Sequence, residues 1–372
     1  MQVQAIRSSI GFRSIHQTTR LNLLRYYTMS TRKAVVHTSE GIARLSSDVP
    51  YPKLRDEYII VKTKAVALNP TDWKSLGPAR RSPGAIAGCD YAGVVEEVGK
   101  AVTTPFKKGD KVAGFVFGGS PYNHDDGAFA SYVTAKGDLQ IRIADNISFE
   151  DASTLGVGIT TVGQAMYQSL GLPLPPAKVS EPTSILIYGA STATGTLAVQ
   201  YAKLSGLQVI ATCSPHNFDL VKSLGADQVF DYKDPDCGKK IREATNDSLK
   251  LAFDTISEKG SSEVCCDAIS SKGGMNTSLL PVKNFPRADV RNGHTLAYTA
   301  LGEKFAEQFP ANQNDFDFGV RFWRLSEELF NSGKIRAHPT EVREGGLAAI
   351  PKGLDDLKEG RVSGVKLVYR AE

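Results

Sequence analysis

The chain has 372 residues, more than usually fold around a single hydrophobic core, and this length predicts two domains. Hydrophobic residues make up 41% and charged residues 23%, which excludes a disordered or collagen-like chain, and no run of 18 apolar residues predicts a membrane span. The net charge of +4 comes from residues 1–39, which hold six basic residues and no acid, leaving 38 basic against 40 acidic residues elsewhere. This near-neutral body argues against nucleic-acid binding.

The N-terminal segment has a composition of its own. Residues 1–30 contain four arginines, seven serine or threonine residues and no acid, a composition typical of a mitochondrial transit peptide. Met29 opens the sequence MSTRKAVV and would serve equally well as the start of a cytosolic protein. Translation can therefore start at Met1 or at Met29, and residues 1–30 fit either a transit peptide or a disordered tail. The predicted location is correspondingly the mitochondrial matrix or the cytoplasm. Residues 1–30 are left out of the fold prediction.

The first half of the chain has the pattern of a β-rich domain. From Lys33 to about Ile143 the apolar runs are short, often alternating, and separated by glycine and proline. Strands are predicted over residues 58–68, 91–98 and 111–117. Many short strands with glycine turns indicate a small β-barrel or sandwich.

A second pattern begins near Ser148, which is followed by Asp151 in the spacing of a helix cap. The proline-rich stretch 172–182 predicts a loop. From Ile185 onward strands and helices alternate, which indicates a parallel sheet with helices on both faces. Residues 362–369 are strand-like again, and we expect them to rejoin the first domain.

The cysteine count and spacing indicate whether the protein resides in a reducing or an oxidising compartment. There are five, an odd number without CxxC spacing, which predicts buried free thiols in a reducing compartment.

Residues 189–195 read GASTATG and follow the apolar run ILIY, so a turn between a buried strand and a helix is predicted. Such a turn exposes N–H groups at a helix N-terminus, where the helix dipole favours a pyrophosphate. Small residues replace the middle glycine of the dinucleotide fingerprint, and their hydroxyls can bond phosphate. Taken alone, the motif also fits a tight turn that binds nothing. The candidate cofactor-binding residues are Gly189, Ser191, Thr192, Ala193, Thr194 and Gly195.

The next predicted strand ends in ATCSPHN at residues 211–217. In the usual pattern an acid at this point accepts bonds from the ribose hydroxyls, and here there is none. A carboxylate would repel a 2′-phosphate, whereas serine, histidine and asparagine side chains can donate to one. We therefore predict NADP(H) over NAD(H), bound by Ser214, Pro215, His216 and Asn217. The alternative is that this segment only caps the following helix.

Three fragments carry a family resemblance: NPTDWK at 69–74, GCDYAGVV at 88–95 and FKKGDKV at 106–112. With the nucleotide-binding pattern they resemble the medium-chain dehydrogenase/reductase superfamily. The resemblance implies an α/β fold with a GroES-like β-rich domain and a Rossmann domain whose parallel sheet is doubly wound. The predicted domains are 31–165 (GroES-like, substrate side), 166–335 (Rossmann, NADP-binding) and 336–372 (return to the catalytic domain).

The zinc sites of that superfamily cannot be assembled from this sequence. Cys89 is the only cysteine among the first 200 residues, and a catalytic zinc needs three protein ligands of N, S or O type. His124, Asp125 and Asp126 are adjacent loop residues, which fit solvated charges better than metal ligands. We expect a zinc-independent enzyme, in which Cys89 is a buried thiol rather than a nucleophile.

Further fragments are similar to one branch, the trans-acting enoyl reductases that accompany fungal polyketide synthases. These fragments are STAT at 191–194, SPHN at 214–217, Tyr232, 298–302 and 362–364. The resemblance implies that Thr71, Asp72, Trp73, Lys74, Tyr232, Val362 and Ser363 join the two loops above in lining NADPH. It also implies that the substrate faces Gly156, Val157, Gly158, Ile159, Thr160, Thr161, Val162, Gly163, Tyr298, Thr299, Ala300, Leu301 and Gly302.

The chemistry expected without a metal is reduction of an activated double bond. Hydride adds to the β-carbon, and the charge spreads into an enolate that a few N–H or O–H donors can hold. The candidate catalytic donors are Lys74, Thr160 and Thr161. Lys74 fits a surface lysine as well, and the two threonines also fit core or cap positions. Tyr298 equally fits a packed aromatic of the sheet.

The leading function hypothesis is an NADPH-dependent, zinc-independent reductase of an enoyl double bond, possible substrates being a free acyl chain or one carried by a polyketide synthase. An aldehyde or quinone reductase is the second hypothesis. The third, from another class, is a non-catalytic protein that binds NADPH and serves a structural role. No nucleic-acid or membrane partner is expected, and the chain is predicted to be a monomer or a homodimer.

Overall fold

The structure is a computed structural model that describes residues 31–371. The N-terminal segment on which the transit-peptide prediction rests lies outside these residues. Within them, no helix combines the length and the apolar character needed to cross a membrane.

Fifteen strands are present in the described residues: β1 (Thr31–His37), β2 (Ala43–Pro50), β3 (Tyr58–Ala67), β4 (Asp90–Val98), β5 (Lys111–Phe115), β6 (Tyr132–Lys136), β7 (Gln140–Arg142), β8 (Ser184–Tyr188), β9 (Gln208–Cys213), β10 (Gln228–Asp231), β11 (Leu251–Asp254), β12 (Gly274–Ser278), β13 (Val290–His294), β14 (Thr340–Arg343) and β15 (Lys366–Arg370).

The α-helices of the same residues are α1 (Pro70–Lys74), α2 (Phe149–Ala152), α3 (Gly156–Val162), α4 (Ala193–Leu204), α5 (Phe218–Ser223), α6 (Cys237–Ala244), α7 (Ser261–Ala268), α8 (Gln313–Asn331) and α9 (Gly346–Lys358). A π-helix, Gly163–Ser169, continues α3. Short 3₁₀ helices occupy Gly137–Leu139, Pro215–Asn217 and Ala297–Leu301.

Six strands form a wholly parallel sheet in the order β10-β9-β8-β11-β12-β13. Counted from β8, this is the order 3-2-1-4-5-6 of the Rossmann fold. The apolar segment Ile185–Tyr188 is buried in this sheet, as expected for a strand covered by helices on both faces. The strand order reverses between β8 and β11, and dinucleotides bind in the crevice at such a switch point.

A seven-stranded sheet holds most of the first half of the chain. Its order is β14-β15-β3-β4-β5-β7, and β6 pairs with β3. The C-terminal strand β15 pairs antiparallel with β3, so the end of the chain rejoins this sheet. β1 and β2 form a separate antiparallel pair. The predicted α/β class, with a GroES-like and a Rossmann component, is confirmed, whereas the domain boundaries at residues 165 and 335 stay predictions.

Several local predictions are confirmed by hydrogen bonds and burial. The Ser148 side chain accepts from the Asp151 N–H at 3.0 Å and caps α2. Residues 172–182 contain no helix or strand. All five cysteines are free and buried: Cys89, Cys213, Cys237, Cys265 and Cys266.

A buried ion pair ties the C-terminal strand to the region between the sheets. Lys366 Nζ donates to Asp90 Oδ2 at 2.5 Å and to the Thr154 carbonyl at 3.0 Å. The other oxygen of Asp90 accepts from the Val157 N–H at 2.7 Å, at the start of α3. A Cβ on Gly156 would lie 2.4 Å from Asp90 Oδ1, so only glycine fits there. Both charged side chains are almost wholly buried, which makes each depend on the other.

A second link between the halves lies where the chain returns from α8 to β14. His338 is buried, and its Nδ1 lies 2.9 Å from Thr196 Oγ1 on α4. Gln200 on the same helix bonds the backbone of Arg336 in both directions. Burial lowers the pKa of His338 to about 3, and the Lys366 charge acts in the same direction.

Candidate active site

The turn that follows β8 lies at the switch point of the parallel sheet. Gly189 has φ +76°, and a Cβ there would lie 2.7 Å from Thr255 Oγ1. Thr255 follows β11, and its hydroxyl donates to the carbonyl of Gly189 at 3.1 Å. A Cβ on Gly195 would lie 2.3 Å from that same carbonyl oxygen. The two glycines therefore let the turn fold tightly against both central strands.

The hydroxyls of this turn have different tasks. Thr192 is the N-cap of α4, and its side chain accepts from the Gly195 N–H at 2.9 Å. Its Oγ1 also lies 3.0 Å from Thr255 Oγ1. Ser191 and Thr194 are partly exposed and make no side-chain hydrogen bond to another described residue. These two hydroxyls and the free N–H groups of α4 fit a cofactor diphosphate.

The segment after β9 and the segment before β15 meet. His216 Nε2 lies 3.0 Å from Ser363 Oγ, and Asn217 Nδ2 donates to the same oxygen at 3.2 Å. A Cβ on Gly364 would lie 2.5 Å from Asn217 Oδ1, so glycine allows the close approach. His216 and Ser363 are exposed, while Asn217 is buried. The structure thus brings together two groups that lie about 150 positions apart in the sequence.

The remaining residues of these predicted sets lie around this meeting point. Ser214 is partly exposed, Pro215 is exposed, and Val362 is partly buried. Tyr232 is 39% exposed, and its ring centre lies 6.3 Å from that of Tyr188 at the end of β8. Tyr232 therefore stands beside the parallel-sheet edge, without a hydrogen bond to the other predicted cofactor residues.

On the opposite side, α1 begins with a capping box. The Asn69 N–H donates to Asp72 Oδ2 at 2.6 Å. Asp72 is buried, and desolvation raises its pKa to about 7, with Asp90 adding to the rise. The nearby Cys89 thiol lowers the pKa of Asp72, against the larger effect of burial. The other oxygen of Asp72, Oδ1, and the side-chain nitrogen of Asn69 are buried and make no well-formed hydrogen bond among residues 31–371. Such unpaired buried atoms fit a site that a polar ligand completes.

Lys74 and Trp73 lie at the end of α1, facing the other half of the molecule. Lys74 Nζ pairs with Glu258 Oε2 at 2.8 Å, across the cleft from β11. Both side chains are partly exposed, at 28% and 51%. The Trp73 ring centre lies 5.6 Å from the same ammonium. The predicted catalytic lysine is therefore at the cleft, held by a carboxylate that the sequence prediction did not include.

A polar cluster joins the two halves deeper in the cleft. Thr71 Oγ1 lies 2.9 Å from the Tyr298 hydroxyl. Arg80 donates to both, to Thr71 Oγ1 at 3.1 Å and to the Tyr298 oxygen at 3.3 Å. Cys89 Sγ lies 3.4 Å from the Tyr298 hydroxyl. Burial raises the pKa of Cys89 well above its usual value, so the thiol stays protonated.

Aromatic rings hold Tyr298 in place. Its ring stacks on Phe305 with centroids 4.7 Å apart and lies 4.7 Å from Phe117 and 5.5 Å from Phe115. Thr299, the next residue, accepts from Gln164 Nε2 at 2.9 Å. Ala300 and Leu301 are buried, and Gly302 ends the segment with φ +70°. The predicted substrate segment therefore forms an apolar wall with one phenol at its inner end.

The predicted substrate segment 156–163 is helix α3 and its first π-helical residue. Its glycines allow close packing, because a Cβ on Gly158 would lie 2.6 Å from Leu197 and one on Gly163 would lie 2.6 Å from Phe322. Ile159 and Val162 are fully buried. α3 is thus held tightly between α4 and α8.

Thr160 and Thr161 are both buried on α3, with different surroundings. Thr160 Oγ1 accepts from Trp323 Nε1 at 3.2 Å and lies 3.4 Å from the Gly156 carbonyl. Thr161 makes no side-chain hydrogen bond to another described residue. The roles of Lys74, Thr160 and Thr161 as donors stay predictions.

Four residues of this region were not predicted from the sequence: Arg80, Gln164, Thr255 and Glu258. Nothing in the run PARRSP distinguishes Arg80 from Arg81, whose side chain instead donates to the Ser39 carbonyl. Arg80 reaches Tyr298 only through the folding of a loop against a segment over 200 positions away. For Thr255 a signal was present, because it directly follows a predicted strand of the parallel sheet, where ligands bind.

A zinc ion does not fit the side chains of this cleft. Among residues 31–371, no group of three or more His, Cys, Asp or Glu side chains is close enough to hold a metal ion. The thiol of Cys89 faces a phenol instead. The side chains of residues 31–371 therefore do not offer the three protein ligands that a catalytic zinc needs.

Two family models match this chain. Residues 55–145 match the alcohol dehydrogenase GroES-like domain, and residues 193–283 match the model described as zinc-binding dehydrogenase. The second range begins at α4 and covers β9, β10, β11 and β12 of the parallel sheet, so its match concerns the nucleotide-binding half.

Among solved structures, a putative zinc-dependent alcohol dehydrogenase from Rhizobium etli is similar with a TM-score of 0.74 at 24% identity, covering 92% of this chain and 98% of the other. The CurK enoyl reductase has a TM-score of 0.70 at 17% identity, with 90% and 98% covered. At these identities the likeness shows the fold.

Curated relatives are much more similar in sequence. A trans-enoyl reductase from Alternaria alternata is 64% identical over 92% of this chain and 100% of its own length. Another, from Aspergillus sclerotiorum, is 47% identical over 91% and 99%. A third, from Cochliobolus carbonum, is 54% identical over 75% and 94%. The chain is therefore a nicotinamide-dependent oxidoreductase of the medium-chain dehydrogenase/reductase superfamily and belongs to its trans-enoyl reductase family.

Proposed function

We propose that the protein uses NADPH to reduce the carbon–carbon double bond of an enoyl thioester. The observation that carries the proposal is the similarity to the trans-enoyl reductase of Alternaria alternata, which extends over that protein's full length. The apolar side chains of Phe117, Phe305 and Leu301 beside Tyr298 support it, because an acyl chain needs apolar contacts.

The preference for NADPH rests on the segment after β9. No carboxylate stands at Ser214, His216 or Asn217, where an acid would repel a 2′-phosphate. His216 and Asn217 converge on Ser363 Oγ, so three donors lie within one small region. Hydrogen bonds to a charged phosphate are stronger than those to a neutral hydroxyl, which favours the phosphorylated cofactor.

The cofactor would supply the hydride, and the protein would hold it by the turn and the donors described above. Ser191, Thr194 and the first N–H groups of α4 would bind the diphosphate, and the glycines at 189 and 195 allow the turn to pack tightly enough to present them. Tyr232 and Val362 flank the same edge of the sheet. Thr71, Asp72, Trp73 and Lys74 approach from the opposite side.

A conjugated thioester suits a cleft without a metal. The charge that develops during its reduction spreads over an enolate, which hydrogen-bond donors can stabilise, whereas an isolated ketone needs a stronger electrophile. Positioning of the double bond against the nicotinamide then provides much of the rate. Lys74, Thr160 and Thr161 are the proposed donors from this chain.

The acyl chain is proposed to arrive on a carrier rather than as a free acid. The family resemblance of the STAT, SPHN and 362–364 fragments points to reductases that act in trans on a polyketide synthase. The synthase is therefore the proposed partner, and the chain is proposed to work as a monomer or a homodimer.

Purified protein incubated with NADPH and crotonyl-pantetheine, menadione or benzaldehyde tests the function. We expect NADPH oxidation with the enoyl thioester and a butyryl product by mass spectrometry. Oxidation only with the quinone or aldehyde would contradict the proposal, and no oxidation at all despite NADPH binding would favour a non-catalytic protein.

A His216→Asp variant should lose the preference for NADPH over NADH, since the new carboxylate repels the 2′-phosphate.

The cellular location depends on residues 1–30, and the two proposed locations are the mitochondrial matrix and the cytoplasm. A mature protein that starts near residue 30 and sediments with mitochondria indicates a transit peptide. One that starts at Met29, or retains residues 1–30, in the cytosolic fraction indicates the cytoplasm. Mass spectrometry of the mature N-terminus distinguishes them.

A further inference from the structure

The cluster of Thr71, Arg80, Cys89 and Tyr298 has an unusual cation. The Arg80 guanidinium donates to two neutral hydroxyls, on Thr71 and Tyr298, instead of to a carboxylate. It also lies over two aromatic rings, 5.3 Å from the Tyr298 centre and 5.5 Å from that of Phe305. No ion pair of Arg80 is present in the described part of the chain, and Asp72 acts on it only at a distance. The cluster therefore carries an unbalanced positive charge.

The cluster has one more O–H donor than it has strong acceptors. The hydroxyls of Thr71 and Tyr298 have two protons between them, and the 2.9 Å bond that joins them uses one. Arg80 fills acceptor sites on both oxygens and takes no proton. The second proton has only the Cys89 sulfur, 3.4 Å from the phenol oxygen, as a protein partner. Sulfur is a weak acceptor, so one O–H donor is left over.

An oxygen that gains negative charge would complete this arrangement. It would accept the remaining O–H, and the guanidinium behind the two hydroxyls would stabilise it electrostatically. The phenol is fixed for this purpose, because three phenylalanine rings pack around it. The hydroxyls also come from opposite halves of the molecule, so the donor exists only when the cleft is assembled.

We propose that the Thr71–Tyr298 hydroxyl pair, positioned by Arg80, is the oxyanion site that holds the thioester carbonyl oxygen of the substrate. This assignment rests on the proposed enoyl reductase function. The two hydroxyls are catalytic residues in this scheme because they touch the reacting group, and Arg80 is a positioning residue.

The hydride, with its two electrons, would come from a C–H bond of the reduced nicotinamide, which breaks as the cofactor is oxidised to NADP⁺. The new C–H bond forms at the β-carbon, and the electron pair of the double bond shifts toward the carbonyl to give an enolate. The enolate oxygen carries the charge while it accepts the O–H of the pair, which remains a hydrogen bond. A proton from water then forms the C–H bond at the α-carbon, and the thioester carbonyl is restored.

The test compares single and double variants with crotonyl-pantetheine and NADPH. Thr71→Val and Tyr298→Phe each leave one hydroxyl, so each should retain part of the activity. The double variant removes the donor and should lower kcat by roughly 10²-fold or more, the usual effect of losing an oxyanion donor. Arg80→Met should lower kcat with both hydroxyls present, and Arg80→Lys should restore part of it.

Two matched controls separate chemistry from folding. Arg81→Met removes the neighbouring guanidinium, which reaches the Ser39 carbonyl, and Tyr201→Phe removes a buried phenol bonded to Ser326 at 2.7 Å. Both should keep kcat. Infrared spectra of ¹³C-carbonyl crotonyl-pantetheine bound with NADP⁺ give a readout besides rate, since the donor should lower the carbonyl frequency in the wild type and not in the double variant.

The assignment is overturned if both the double variant and Arg80→Met leave the carbonyl frequency unchanged and keep kcat within about threefold of wild type. A threefold change is only about 0.7 kcal/mol, well below the effect of losing an oxyanion donor. This result would leave the enoyl reductase function intact. A wild-type protein that never reduces the enoyl thioester refutes the function itself and the assignment with it. Either result is distinguishable from misfolding by the thermal unfolding curves of the variants.

Discussion

The two walls of the cleft are held in different ways. On the parallel-sheet side, the turn from Gly189 to Gly195 is fixed mainly by backbone groups and by the Thr192 cap. On the opposite side, the wall depends on side chains brought from distant positions, above all the Asp90–Lys366 pair and the Arg80 cluster. An added side-chain atom should therefore disturb the structure of the first wall most, whereas the loss of a buried charge should destabilise the second wall most.

The largest effect is expected where the second wall loses its buried cation. Lys366→Met leaves the Asp90 carboxylate buried without a partner, and should lower the free energy of unfolding by about 3–5 kcal/mol, measured by urea denaturation. The double variant Asp90→Asn/Lys366→Met removes both charges and should recover much of this loss. If the double variant is as unstable as the single one, the pair is not what holds this wall.

For the first wall the sharpest change is a single methyl group. Gly195→Ala places a Cβ 2.3 Å from the Gly189 carbonyl oxygen, which must shift the turn. We expect the Kd for NADPH to rise at least about tenfold, which is about 1.4 kcal/mol, measured by fluorescence titration. Ala193→Gly, which removes atoms from the same turn, is the control and should keep its affinity. Equal affinities would show that backbone shape is not decisive on this side.

The contact between the walls at His338 predicts a pH dependence. Its folded pKa of about 3 lies below the ordinary value of 6.5, so the unfolded chain binds an additional proton between these pH values. Stability from this group is therefore complete above pH 6.5 and is lost as the pH falls toward 3, by about 1.4 kcal/mol per pH unit.

His338→Gln should flatten the fall of the unfolding temperature over this acidic range, as measured by calorimetry. Asp72→Asn is the opposite control. The pKa of Asp72 is raised to about 7, so its burial costs stability as the pH rises from about 4 to 7 and the variant should gain at neutral pH. A His338→Gln profile parallel to that of the wild type would contradict the assignment.

The smallest effect is expected at the exposed bridge between the walls. Glu258→Gln breaks the pair with Lys74, and because both side chains reach solvent the free energy of unfolding should change by less than about 1 kcal/mol. The variant should also keep kcat/KM, whereas Lys74→Ala should lower it if the lysine is a donor. A lysine variant with full kcat/KM would remove Lys74 from the catalytic residues.

The same contrast explains what could be predicted from the sequence. The turn at 189–195, its flanking strand and helix and the absence of an acid near His216 are local patterns, because each depends on neighbours within about 25 positions. The parallel sheet followed from the alternation of strands and helices after Ile185.

The second wall could not be predicted in this way. Arg80 and Tyr298 are separated by over 200 positions, and the sequence around Arg80 offers a second arginine with the same local features. The sequence offers Thr160 as a hydroxyl donor, but the partner of that hydroxyl is set by Trp323, which approaches from α8. Contacts of this kind arise from packing between elements and leave no periodic signal.

The connection between the two sheets has a mechanical consequence. The chain leaves the seven-stranded sheet after β7 and returns to it only at β14. Both crossings are tied by hydrogen bonds, since Lys366 Nζ in β15 donates to the Thr154 carbonyl in the first and Gln200 on α4 bonds the backbone of Arg336 in the second. Glu303 adds a further tie, because it accepts from the Tyr58 hydroxyl and from Lys136 Nζ in the seven-stranded sheet. Any change in the relative position of the two sheets would therefore have to break hydrogen bonds of these three groups.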